Sequence, residues 1–140
     1  MSTDAVNTLT AMAEAPWNYD FFQAMRRIEC EYPERPRLGH SVRLVDDPLR
    51  LGQKPDCGFA PSTLASVIHD STGTPRIEQF FFGLTGPNGP LPIHLTEHAR
   101  ERQRHHGDAT FKRFLDVFNH RLLTLFYLSL IHISEPTRLL

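Results

Sequence analysis

FLDVFNHRLLTLFY, residues 114–127, is the stretch on which the fold turns. Large apolar residues return every three or four positions, at Phe111, Phe114, Leu115, Phe118, Leu122, Leu125 and Phe126, which is the period of an α-helix. Asp108 can cap that helix and Gly107 can stop the one before it, so a helix is predicted from Ala109 to at least Tyr127. Near its end the pattern is apolar almost all round, which predicts burial on more than one side. Upstream stands GLTGPNGPLP, residues 83–92, a rigid turn built on Gly83, Gly86, Pro87, Gly89, Pro90 and Pro92. Pro92 suits the first turn of a helix reaching about His106.

Further from this centre the signals weaken. Met1–Pro16 is small and polar and reads as a frayed start, within a flexible segment 1–17. Asn18 can cap a helix to about Glu31 with Phe21, Phe22, Met25, Ile28 and Tyr32 on one stripe. Pro33, Pro36 and Gly39 open a loop. Val42–Val45 and Leu49–Leu51 read as short strands about an Asp46-Asp47-Pro48 turn. Ser62–Asp70 reads as a short helix, Ser71–Pro75 as a turn, and Ile77–Leu84 as a strand apolar on both faces. The fold class predicted is α+β, mostly helical, with a few short strands and long Gly/Pro-rich loops.

Composition removes several function classes. The 140 residues carry a formal charge of −1 and eight scattered His, with no basic footprint for nucleic acid and no polybasic membrane patch. Cys30 and Cys57 stand far apart, and the first residues lack a basic and apolar secretory leader, so free thiols in a reducing compartment are expected. The apolar run Leu122–Ile133 is interrupted by Thr124, Ser129 and His132 and falls short of the roughly 20 residues of a membrane span. Ten Phe and one Trp supply a large apolar payload.

One pattern invites an enzyme reading. His94-Leu95-Thr96-Glu97-His98 is an H-x-x-E-H sequence. On a helix His94 and His98 share a face, and with Glu97 as base they would suit a zinc hydrolase. A catalytic zinc needs a third protein ligand, and none stands at a recognisable spacing, so no metal, cofactor or catalytic residue is predicted. Asp46 and Asp47 precede a proline and read as turn formers. Asn119 and His120 read as polar groups bonding across a helix interface. The Gly-rich turn lacks the Lys-Ser/Thr of a phosphate loop and the spacing of a dinucleotide turn.

The two blocks GLTGPNGPLPIHLTE (83–97) and FLDVFNHRLLTLFY (114–127) closely resemble the TssG (ImpH-type) baseplate subunits of bacterial type VI secretion systems. The family pattern reads approximately GLTGPxGPLPxHxTE, then FLDxFNHRLLxLFY; His98 is outside it. The resemblance covers about Tyr19–Tyr127, with Phe21–Ala24 and Pro48–Gln53 fitting loosely. It implies a non-enzymatic wedge component that joins two copies of TssF and works with TssE and TssK. Such a component lies in the cytoplasm at the inner face of the membrane, between contractile sheath and membrane complex. The expected interface is Phe114, Phe118, Asn119, His120, Leu122, Leu125 and Phe126. Residues 18–127 are expected to be the TssG-like region. From Leu128 the chain departs from the family and resembles translated sequencing-adapter read-through. Residues 128–140 are therefore expected to be an artefactual tail on an N-terminal fragment of a larger wedge protein. A zinc hydrolase using His94, Glu97 and His98, or a generic soluble adaptor domain, are the alternatives.

Overall fold

The computed structural model describes residues 3–68 and 74–139. Four helices, α1 (Thr3–Glu14), α2 (Phe21–Glu31), α3 (Ile93–His106) and α4 (Thr110–Leu139), accompany three strands, β1 (Arg50–Gln53), β2 (Leu64–Ile68) and β3 (Arg76–Gln79). The fold is α+β. The strands form one sheet in the order β1-β3-β2, with β1 parallel and β2 antiparallel to β3. Leu51, Ile77, Val67 and Leu64 turn from the sheet into the core. There they meet Leu9 and Met12 of α1, Phe21, Met25 and Ile28 of α2, and Leu123 and Tyr127 of α4.

The junction between α3 and α4 falls where capping chemistry places it. Gly107 closes α3 in the left-handed region at φ +59°. Asp108 caps α4, its carboxylate accepting from Thr110 N at 3.0 Å and from Thr110 Oγ1 at 2.6 Å. Other expectations are corrected. The frayed start is instead α1, because Leu9 and Met12, one turn apart, are fully buried and their packing outweighs a weak local pattern. Helix α2 starts at Phe21, because Asp20 supplies the cap to Phe22 N (3.2 Å) and Asn18 ends a short 3-10 turn that Pro16 opens.

Ser62–Asp70 is not helical: it holds strand β2, with His69 and Asp70 outside the described residues. Antiparallel pairing with β3 satisfies its backbone, and a register shift between Leu64 and Ser66 spoils the alternation that would have marked it. The Ser71–Pro75 turn also lies mostly outside them. Val42–Val45 runs into a 3-10 turn at Leu44–Asp46, with Val42 and Val45 exposed. Strand β3 stops at Gln79 rather than Leu84, because the Gln79 side chain folds back. Its Oε1 accepts from Phe82 N at 2.8 Å and its Nε2 donates to Phe82 O. That curl gathers Phe81 and Phe82 against Phe22 and Phe126, with the Phe82 and Phe126 rings stacked at 5.1 Å.

Helix α4 runs unbroken past Leu128. Its segment Thr110–His132 is long and apolar enough to cross a membrane by length and composition, which the interrupted run Leu122–Ile133 did not suggest. Lys112, Asp116, Asn119 and His120, however, are buried on its inner side.

Candidate functional site

Helix α4 packs with its polar side inward. Lys112, Asp116, Asn119, His120 and Thr124 are buried, together with Leu115, Leu123 and Tyr127. The outward face carries Phe114 (58% exposed), Val117 (57%), Phe118 (49%), Leu122 (40%) and Leu125 (49%). Four residues of the stripe read from the sequence, Phe114, Phe118, Leu122 and Leu125, therefore face outward, while Leu115 is buried and Phe111 and Phe126 are half-buried.

The cause is the free edge of β1. Arg50 N and Lys54 N donate toward β3, to Pro75 O at 2.8 Å and Gln79 O at 3.1 Å. Leu51 N and Gln53 N point the other way, where an edge strand has no partner. Helix α4 supplies the acceptors: His120 Nδ1 lies 3.0 Å from Leu51 N, and Asp116 Oδ1 lies 3.0 Å from Gln53 N. The spacing fits, because four helical residues rise about 6 Å and two strand residues about 6.6 Å. Gly52 lies between, and a Cβ there would sit 2.6 Å from Asp116 Oδ2. Helix and strand approach this closely because residue 52 has no side chain.

The Gly/Pro turn is fastened to the same frame. Gln53 Nε2 donates to Thr85 O (2.8 Å), while its Oε1 accepts from Thr85 N (3.0 Å) and Thr85 Oγ1 (2.7 Å). Asn119 Oδ1 accepts from Leu84 N at 3.2 Å, and Thr96 Oγ1 accepts from Gly86 N at 2.9 Å. Gly89 N closes the turn onto Gly86 O at 3.1 Å. Gly83, at φ +151°, leaves the space that the Gln53 amide fills. Pro87 and Pro90 lie exposed on the turn, and Pro92 holds the N-cap position of α3, which spans Ile93–His106 as expected. The two sequence blocks are thus bonded to one another within one chain.

Asn119 and His120 do bond across a helix interface, as expected, but to this chain's own turn and strand. They do not belong to the outward surface. Phe126 also leaves it, half-buried in the aromatic cluster. Phe114, Phe118, Leu122 and Leu125 remain outward. His94, Glu97 and His98 are exposed on α3, and the His98 ring packs edge-on to Phe111 at 5.7 Å. Among the described residues no three His, Cys, Asp or Glu side chains gather closely enough to hold a metal ion.

The sequence reading missed the partner of His120. Its Nε2 lies 2.8 Å from Asp47 Oδ2, and Ser41 Oγ donates to the other Asp47 oxygen. The order Ser-Asp-His differs from that of a nucleophilic relay, in which the histidine must hold the hydroxyl. Here its second nitrogen is occupied by Leu51 N, so the neutral Nε2–H tautomer fits both neighbours. Burial pushes the His120 pKa down, against the pull of Asp47. Burial pushes the Asp116 carboxyl up, against its bonds from Gln53 N and Asn119.

These directions set a pH dependence. Unfolded, His120 takes up its proton near pH 6.5, earlier on acidification than when folded. Its contribution is full above about pH 6.5 and is lost as pH falls toward the depressed folded value, at up to about 1.4 kcal/mol per pH unit. Asp116 has the opposite sign, gaining stability on acidification through its raised folded value. Urea unfolding should show stability falling from about pH 7.5 to about pH 5.5, with a shallower fall in His120→Gln, whose side-chain oxygen can accept from Leu51 N. Equal slopes in the two chains would refute the His120 assignment.

No curated protein and no solved structure matches the chain. The family described as "Type VI secretion, TssG" matches residues 15–134, a span that holds both blocks, the β1 edge they fasten and the helix that caps it. With the match covering most of its length and the matched blocks joined in one hydrogen-bonded frame, the chain belongs to the TssG family of the type VI secretion system.

Proposed function

We propose that this chain is a structural wedge component of the type VI baseplate, and that the outward face of α4 is where TssF docks. TssG is a structural family of that machine rather than a known enzyme family. The observation that carries the reading is the side of α4 left open. Phe114, Val117, Phe118, Leu122 and Leu125 stand half-exposed on one helix face, while Asp116, Asn119 and His120 on the inner side are bonded to β1 and the Gly/Pro turn. A contiguous apolar patch on a rigid element marks a protein-docking surface. In the full reading two TssF copies, TssE and TssK share the wedge, on the cytoplasmic side of the inner membrane, and the work is mechanical.

Truncating Phe118, which is 49% exposed, should leave the isolated chain nearly as stable as before. In co-purification with TssF, Phe118→Ala should weaken binding by about 2 kcal/mol or more, as for a central aromatic anchor. His98→Ala, on the other helix, should bind like the parent. If Phe118→Ala binds normally and His98→Ala does not, docking through α4 is wrong.

A further inference from the structure

The open face of α4 has a charge sign as well as an apolar character. Between Thr110 and His132 the helix has one carboxylate, Asp116, and it is buried against β1. Outward, Arg121 stands exposed among Val117, Phe118, Leu122 and Leu125, its neighbours at −4, −3, +1 and +4. Among the described residues no carboxylate pairs with it. Whatever covers the stripe also takes Arg121 out of water, and burying an unpaired charge is costly.

Size argues in the same direction. A half-exposed large side chain shows roughly 100 Å², so the five present on the order of 400–500 Å², against about 800 Å² per partner in a stable interface. The surface continues through Leu122 into a groove of about 480 Å³ beside Phe59, Phe81 and the Gly/Pro turn. There Lys54 lies 5.8 Å over the Phe80 ring, while Asp56 faces Arg100 at 4.0 Å. The unmatched charges of ridge and groove are both positive.

Resting on the reading of this face as a docking surface, we propose its occupant: an amphipathic helix of the partner protein. Its apolar seam carries an Asp or Glu opposite Arg121, and a second acid faces Lys54 at the groove. A helix fits because the stripe repeats at three and four residues over about three turns, roughly 17 Å, the pattern that takes helix knobs. An anionic bilayer has the right sign, but such surfaces are held by clusters of about four to eight cations, and this face offers Arg121 and Lys54.

The test measures TssF affinity for the full chain, for Arg121→Lys, Arg121→Glu and Phe118→Ala, with thermal unfolding of each chain alone as a folding check. Arg121→Glu is expected to weaken binding about tenfold or more, and Arg121→Lys to stay within about threefold. Parent-like binding by Arg121→Glu, with Phe118→Ala impaired, would overturn the acidic-helix assignment while leaving the docking face in place. Parent-like binding by both would remove the docking face itself. Parent chain that ignores TssF but binds vesicles of roughly 30% anionic lipid, and loses them in Arg121→Glu, would assign the face to a membrane and overturn the proposal.

Discussion

Lys112→Ala is expected to destabilise the chain by about 3–5 kcal/mol, the range for removing one partner of a buried ion pair. The Lys112 ammonium meets the Glu78 carboxylate between α4 and the central strand, with side chains 2% and 6% exposed. Among the described residues the second Glu78 oxygen has only Ser66 Oγ, at 3.4 Å. Without Lys112 the Glu78 charge is stranded in the sheet–helix contact. The pair itself need not stabilise the fold. Lys112→Met combined with Glu78→Leu removes both desolvated charges and should recover most of the loss. Urea unfolding of the two single variants and the double variant separates the cases. Single losses below about 1 kcal/mol would mean that solvent reaches the pair and that it behaves as a surface ion pair.

That pair also shows why the polar inner side of α4 was hidden in the sequence while the helix and its outward Phe114, Phe118, Leu122 and Leu125 were plain. Caps at Gly107 and Asp108 and the three-to-four repeat are local, and they place both α3 and α4. The side a helix buries is decided by what it packs against. An apolar stripe reads as inward by default, and here β1 offers two unpaired amides instead. A signal was present: Lys112, Asp116 and His120 fall at intervals of four, and with Asn119 they draw a polar line along one side of the helix. Read as an interior line, it would have set that side against the sheet. The acceptor of His120 was beyond reach, because Asp47 lies 73 residues away and looked like an ordinary turn residue. Strand β2 was lost to its register shift and α1 to its dependence on tertiary burial, since neither leaves a strong local pattern.

The Gly/Pro turn was legible as a turn, but its fastening was not, and the fastening yields the second large effect. Gln53→Ala should cost about 2–5 kcal/mol, because Thr85 N and Thr85 O are both left buried without partners. Gly83→Ala should be damaging by a related route. Residue 83 sits at φ +151°, and a Cβ would enter the space held by the Gln53 amide, pushing it off Thr85. Each change breaks the same clamp, so their costs should not add. Gly83→Ala introduced into Gln53→Ala should cost at least about 1 kcal/mol less than in the parent, a coupling expected of residues sharing one contact. The remaining penalty in the double variant is the backbone strain at residue 83 alone. The turn also walls the groove beside Leu122, so both single variants should weaken TssF binding while Phe118 is untouched. Strict additivity in unfolding free energy would show that the Gln53 amide does not hold the turn. The groove would then be shaped by Asn119 and Thr96, which reach the turn from α4 and α3.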